Sequence, residues 1–201
     1  MKSPYSFIVS PEKGRRYDNI KKYGNKDFIT SSSEEDHSSS NRFAVVVSTP
    51  INYTGPIKKG DTLLVHHNVF KFYNDMYGNR KSGKSFFKDD LFLVDPDQFY
   101  MYKNKKGWVG HDKYCFIKPL ESKDSYLKKN SKYEPLTGTV KYINQDLLEK
   151  GVKVGDVVLY QPDSEYEFLV DDELLYRMFT DNITVVLWYI TEMVFWIQSI
   201  L

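Results

Sequence analysis

Residues Gly78-Asn79-Arg80-Lys81-Ser82-Gly83-Lys84-Ser85 match G-x-x-x-x-G-K-[ST], the pattern whose amides, lysine and hydroxyl cradle nucleotide phosphates. That chemistry needs a buried strand before the turn and a helix after it, so that a helix N-terminus faces the anion. Neither flank supplies one. Lys71-Phe72-Tyr73-Asn74-Asp75-Met76-Tyr77 is polar and aromatic, and Phe86-Phe87-Lys88-Asp89-Asp90-Leu91-Phe92-Leu93-Val94-Asp95-Pro96 reads as strand and turn. The stretch is therefore expected to be a turn at the tip of a hairpin insertion over 69–86. A P-loop enzyme using Lys84 and Ser85 is the alternative.

Other chemistry-bearing groups are sparse. His66 and His67 are adjacent, and on a strand they would point to opposite faces and could not share a metal. His37 and His111 lack metal-site spacing, so no metal is expected. The carboxylates of Asp163, Glu165, Glu167, Asp171, Asp172 and Glu173 could do acid–base work only if burial shifted them; they read as solvated turns around Phe168-Leu169-Val170. Cys115 is the single cysteine, which excludes an intramolecular disulfide and suits a buried, inert thiol in a reducing compartment. A net charge of +1 provides no overall pull toward nucleic acid or anionic membrane. No catalytic residue and no cofactor is expected. The N-terminus has no apolar run long enough for a signal peptide, and a cytoplasmic protein is expected.

What the chain does contain is a repeat. Ile57-Lys58-Lys59-Gly60-Asp61-Thr62-Leu63-Leu64-Val65 returns as Val152-Lys153-Val154-Gly155-Asp156-Val157-Val158-Leu159-Tyr160. Gly opens a backbone conformation closed to other residues, and Asp bonds nearby amides, so each copy turns the chain into a strand. The match extends, with no gap, from 43–48 to 138–143, and further out from 5–11 to 113–119 and from 91–101 to 175–185. Two β-rich units follow, 1–103 and 104–187, with an apolar tail, 188–201. The 16% aromatic content suits strands. The tail, including Trp188, Phe195 and Trp196, reads as an amphipathic helix packed on the protein, and a membrane span is the lesser reading.

In the first unit a long polar excursion, 11–42, is basic in its first half and Ser-rich and acidic in its second. Such a segment buries too little apolar area to offset ordering entropy, so mobility is expected. It carries one apolar island, Asp27-Phe28-Ile29-Thr30, which could anchor on a partner or fold back on its own unit. The second unit has a shorter counterpart, 121–135, with Tyr126-Leu127 as a possible second contact.

Leu136-Thr137-Gly138-Thr139-Val140, Gly151 to Tyr160, and Asp171-Asp172-Glu173-Leu174-Leu175-Tyr176-Arg177-Met178 with Asp181-Asn182-Ile183 together resemble the GroES-like co-chaperonins (chaperonin-10 family). The first unit repeats the order more loosely, so the resemblance covers most of 5–187. It implies an all-β chain of two irregular β-barrels in tandem, self-association into a ring, and a partner: a GroEL-type chaperonin ring that carries the ATP. It also implies that Phe28, Ile29 and Thr30 dock on that ring through a mobile loop. The family's usual Gly-Gly-Ile-Val-Leu is replaced here by Asn25 to Thr30. Two units in one chain are similar to the chloroplast co-chaperonins, and the elongated loops to virus-encoded ones. A structural β-barrel without a chaperonin partner is the remaining reading.

Overall fold

The computed structural model describes residues 1–17, 20–29, 40–122 and 132–187; the apolar tail lies outside them. The chain divides into two compact units, Met1–Val109 and Gly110–Leu201. It is all-β, and one α-helix, α1 (Gln145–Glu149), occurs among the described residues.

The first unit contains β1 (Phe7–Pro11), β2 (Ile20–Tyr23), β3 (Lys26–Ile29), β4 (Phe43–Ser48), β5 (Thr62–Val65), β6 (Phe72–Asn74), β7 (Arg80–Ser82), β8 (Phe86–Lys88), β9 (Leu91–Val94) and β10 (Phe99–Asn104). A further strand, β11 (Gly107–Gly110), ends where the second unit begins. The second unit contains β12 (Tyr114–Glu121), β13 (Tyr133–Tyr142), β14 (Val157–Tyr160), β15 (Tyr166–Val170), β16 (Glu173–Phe179) and β17 (Ile183–Leu187).

The main sheets run β11-β10-β5-β4-β1-β9-β8 and β15-β16-β12-β13-β14-β17. Without β11, the two orders are the same path through equivalent strands. β1 corresponds to β12, β4 to β13, β5 to β14, β8 to β15, β9 to β16 and β10 to β17. Even the irregularities repeat. β1 slips register against β4 between Ile8 and Val9, and β12 slips against β13 between Phe116 and Ile117. In both units the bulge sets a valine opposite the first residue past the slip: Val9 pairs with Val46, and Ile117 with Val140. At the second slip there is no room for a side chain, since a Cβ on Gly138 would fall on Ile117 and lie 2.7 Å from the Lys118 carbonyl oxygen. Both sheets are open in strand order, and no pairing among the described residues closes a barrel.

The Gly-Asp turns are the same device twice. Gly60 and Gly155 sit at φ 92° and 99°, in the left-handed region that favours glycine. The Asp61 carboxylate accepts from the Lys58 amide at 2.7 Å, and that of Asp156 from the Lys153 amide at 2.8 Å. Each turn is then tied to the neighbouring strand. Val46 N–H donates to Asp61 O and Gly60 N–H to Val46 O; Val140 N–H donates to Asp156 O and Gly155 N–H to Val140 O. These bonds correct the gapless repeat alignment. Val46 is equivalent to Val140, whereas a gapless match would set Val46 against Lys141. The second unit holds one more residue between strand and turn, around α1, whose N-cap Asn144 accepts from the Leu147 amide. A one-residue slip reverses the faces of a strand, and both valines are 1% exposed.

Each unit has its own core. In the first, Phe7, Phe70, Phe92 and Phe99 are fully buried with Val46, Leu63 and Val65. Phe7 meets Phe99 edge-to-face at 5.6 Å, and Phe70 meets Phe92 likewise at 4.8 Å. In the second, Ile117, Val140, Leu147, Val158 and Met178 surround Cys115. Burying each of the larger side chains stabilises by about 2–3 kcal/mol before conformational entropy is set against it.

Candidate functional site

The loop of the first unit departs from the expected picture of an irregular excursion. A short 3-10 turn, Glu12–Gly14, follows β1, and β2 and β3 form an antiparallel hairpin pairing Tyr23 with Lys26 and Ile20 with Ile29. The connection is two residues, Gly24-Asn25, with Gly24 at φ 61°. That is the position where a type II′ hairpin turn requires positive φ. The signal was legible: a Gly-Asn pair between two four-residue runs containing Ile20, Tyr23, Phe28 and Ile29 is a hairpin pattern. The high polarity of the surrounding residues masked it.

Phe28 lies on β3 opposite Lys21 and is 52% exposed; Tyr23, at the end of β2, is 66% exposed. Their rings meet edge-to-face at 5.6 Å, a diagonal contact across the hairpin. Two large apolar rings are thus held together at the surface. Ile29 belongs to β3. Thr30, Tyr126 and Leu127 lie outside the described residues.

The neck of this loop is firmly built. Tyr17 forms an antiparallel bridge with Ser40. Asn41, nearly buried, donates through Nδ2 to the carbonyls of Glu12 (3.0 Å) and Arg15 (2.7 Å), while its Oδ1 accepts from the Phe43 amide (2.9 Å). The Asn41 N–H donates to Arg16 O at 3.0 Å. Incoming and outgoing chains are therefore tied to each other.

The neck is also tied to the insertion. The Arg16 guanidinium lies 4.2, 5.1 and 4.7 Å from the ring centroids of Phe72, Phe86 and Phe92. It donates to Ser82 Oγ at 3.2 Å and lies 3.8 Å from an Asp90 carboxylate oxygen. Burial lowers its pKa from the usual arginine value, and the Asp90 charge opposes that shift. The Tyr17 ring stacks on Phe72 at 6.0 Å, and its hydroxyl accepts from the Phe72 amide at 3.0 Å.

The insertion is a hairpin of β6 and β7, and it places the P-loop pattern in strand and turn. Gly78 sits in the tip at φ 78°, Arg80–Ser82 is β7, Ser85 is buried, and the strand β8 follows. Without a helix behind the second glycine there is no helix N-terminus for a phosphate to approach. The segment is strand and turn, as expected for a hairpin insertion.

His66 and His67 also differ from expectation. β5 ends at Val65, and beyond it the two rings lie over one another with centroids 4.0 Å apart. Strand alternation does not apply once the strand has ended. No group of three or more His, Cys, Asp or Glu suited to a metal occurs among the described residues. Asp171 and Asp172, at φ 48° and 63°, form a two-residue turn between β15 and β16. Glu173 is not merely solvated: it accepts from Lys118 Nζ (2.6 Å) and Lys141 Nζ (2.7 Å), and these bonds hold its carboxyl below the usual value. Cys115 is fully buried, and burial pushes its thiol up to about 12. No helix among the described residues is long and apolar enough to cross a membrane. No family model matches the chain, and comparison with curated proteins finds no match either.

Proposed function

We propose that this protein is a co-chaperonin that caps a GroEL-type chaperonin ring through the loop of its first unit. The observation that carries the reading is the exposed Tyr23–Phe28 pair on a hairpin whose neck is tied down at Tyr17, Ser40 and Asn41. Exposed aromatic rings on a hairpin of a β-rich scaffold suit transient docking on another protein. The duplicated strand order agrees with the tandem arrangement that the sequence resemblance implies.

In this mechanism the protein does no covalent chemistry, needs no cofactor of its own, and acts in the reducing cytoplasm that a lone buried thiol suits. Phe28, with Ile29 and Thr30 beside it, enters an apolar groove of the nucleotide-loaded partner. Burying Phe28 contributes about 2 kcal/mol per loop before ordering costs. Several loops on one self-assembled ring act together, so a weak contact becomes a firm, reversible cap. Hydrolysis of ATP belongs to the partner.

The test is co-sedimentation of the purified protein with a chaperonin in the presence of ATP. A complex is expected, and Phe28→Asp with Ile29→Asp should abolish it. Absence of a complex with the wild-type protein, or a complex untouched by the double substitution, overturns the reading.

A further inference from the structure

Among the described residues, the first unit carries two hairpins that have no counterpart in the second. Between β1 and β4 it carries the loop hairpin, and between β5 and β8 it carries the β6–β7 hairpin. In the second unit β14 ends at Tyr160 and β15 starts at Tyr166, which leaves room for a short turn only. The two additions touch, through Arg16 and Tyr17 at the loop's neck and Phe72 in the hairpin.

The β6–β7 hairpin has one committed face and one open face. Phe72 pairs with Ser82, and its ring carries Arg16 on the neck side. Tyr73 pairs with Lys81, so their side chains stand on the opposite face, and Tyr73 is 50% exposed. At the apex Met76 and Tyr77 are 90% and 83% exposed. They are held there by design of the turn. The Asp75 carboxylate accepts from the Tyr77 amide (2.9 Å), the Asn79 amide (2.8 Å) and Asn79 Nδ2 (3.3 Å). The Gly78 amide donates to Asp75 O, and the Asp75 amide to Asn79 O. These bonds gather the turn around the Asp75 carboxylate, and the side chains of Met76 and Tyr77 stay exposed at its apex. Residues 71–88 also contain five cations and one anion, in a chain of net charge +1.

We propose that the β6–β7 tip is a second docking surface for the same partner that the loop hairpin engages, and that it enters an apolar recess bordered by acidic residues. The inference rests on the co-chaperonin reading. A convex tip with Met76 and Tyr77 at its apex fits a concave apolar site, and the surrounding cations fit carboxylates at its rim. Arg16 and Tyr17 set the base of this hairpin against the loop's neck, so a partner that takes the loop comes within reach of the tip. The hairpin is built before contact and loses little freedom on docking, so it complements the loop.

The experiment measures the affinity of the full-length protein for a chaperonin ring with ATP, at low and high salt, for wild type and three variants. Met76→Asp with Tyr77→Asp, both at fully solvated positions, should weaken binding about tenfold or more. Lys81→Glu with Lys84→Glu should weaken it and flatten its salt dependence. Phe28→Asp serves as the loop reference. If the Phe28 variant loses binding while both tip variants keep wild-type affinity, the second surface is overturned and the co-chaperonin reading stands. If wild type forms no complex, both fall. If tip variants lose only binding to anionic lipid vesicles, the partner is a membrane and the proposal is overturned. Circular dichroism of each variant separates lost binding from lost fold.

Discussion

The guanidinium of Arg16 lies 4.2 Å from the ring centroid of Phe72, 56 positions further along the chain and beyond the β2–β3 hairpin. This contact joins the start of the loop to the insertion, and it is reinforced by Phe86, Phe92, Ser82 and Asp90. A flat, delocalised cation can stack on several rings and donate at its edge together, which an ammonium cannot.

Arg16→Ala should therefore cost about 1–2 kcal/mol of stability in the first unit, combining the lost stacking with the lost hydrogen bonds. Arg16→Lys should recover little of it, because the charge returns without the plane. Urea unfolding measures both, and hydrogen exchange at the β2–β3 amides should quicken in each. A lysine variant with wild-type stability would show that charge alone suffices.

Asp61→Ala and Asp156→Ala should give similar losses, each about 1 kcal/mol, since each carboxylate caps one amide in an equivalent turn. The two should add in the double variant, because the sites belong to separate cores. Unfolding curves of the three variants test the equivalence; a loss confined to one site would break it.

Glu173 makes stability depend on pH in a defined direction. Hydrogen bonds from Lys118 and then Lys141 lower its pKa in the folded state. Its stabilisation is thus fully present above the unfolded carboxylate value, about 4.3, and is lost as pH falls through the folded value. Melting temperatures measured from pH 6 down to about pH 3 should fall less steeply for Glu173→Gln than for wild type. Both lysines are well solvated, so the whole effect should stay below about 1 kcal/mol.

Cys115 should not react with thiol reagents in the folded protein near neutral pH, because its thiolate is disfavoured by burial and its sulfur is enclosed. It should react at once in denaturant. Fast labelling of the native protein would contradict the core described for the second unit.

Much of the architecture was legible because it rests on local chemistry repeated twice. Gly60-Asp61 and Gly155-Asp156 announce their turns through glycine's access to positive φ and through a short carboxylate within reach of an amide three residues back. The flanking strands follow from alternating apolar residues. The offset of one residue between Val46 and Val140 was not legible, because either alignment sets an apolar-rich run beside the turn. The Val140 N–H bond to Asp156 O decides between them.

The candidate site divides in the same way. Phe28 stood out as an apolar residue in a polar excursion, and Gly24-Asn25 could have marked the hairpin that holds it. That Tyr23 joins it follows only from register, which sets the two rings diagonally across the strands. Nothing in the residue order links Arg16 to Phe72, since contacts between distant segments depend on where strands carry them. Composition and local turn chemistry therefore determined the all-β class, the repeat and the two additions to the first unit. The tertiary structure alone decided that those additions meet, because long-range pairing of β1, β4 and β9 brings the loop's neck against the insertion.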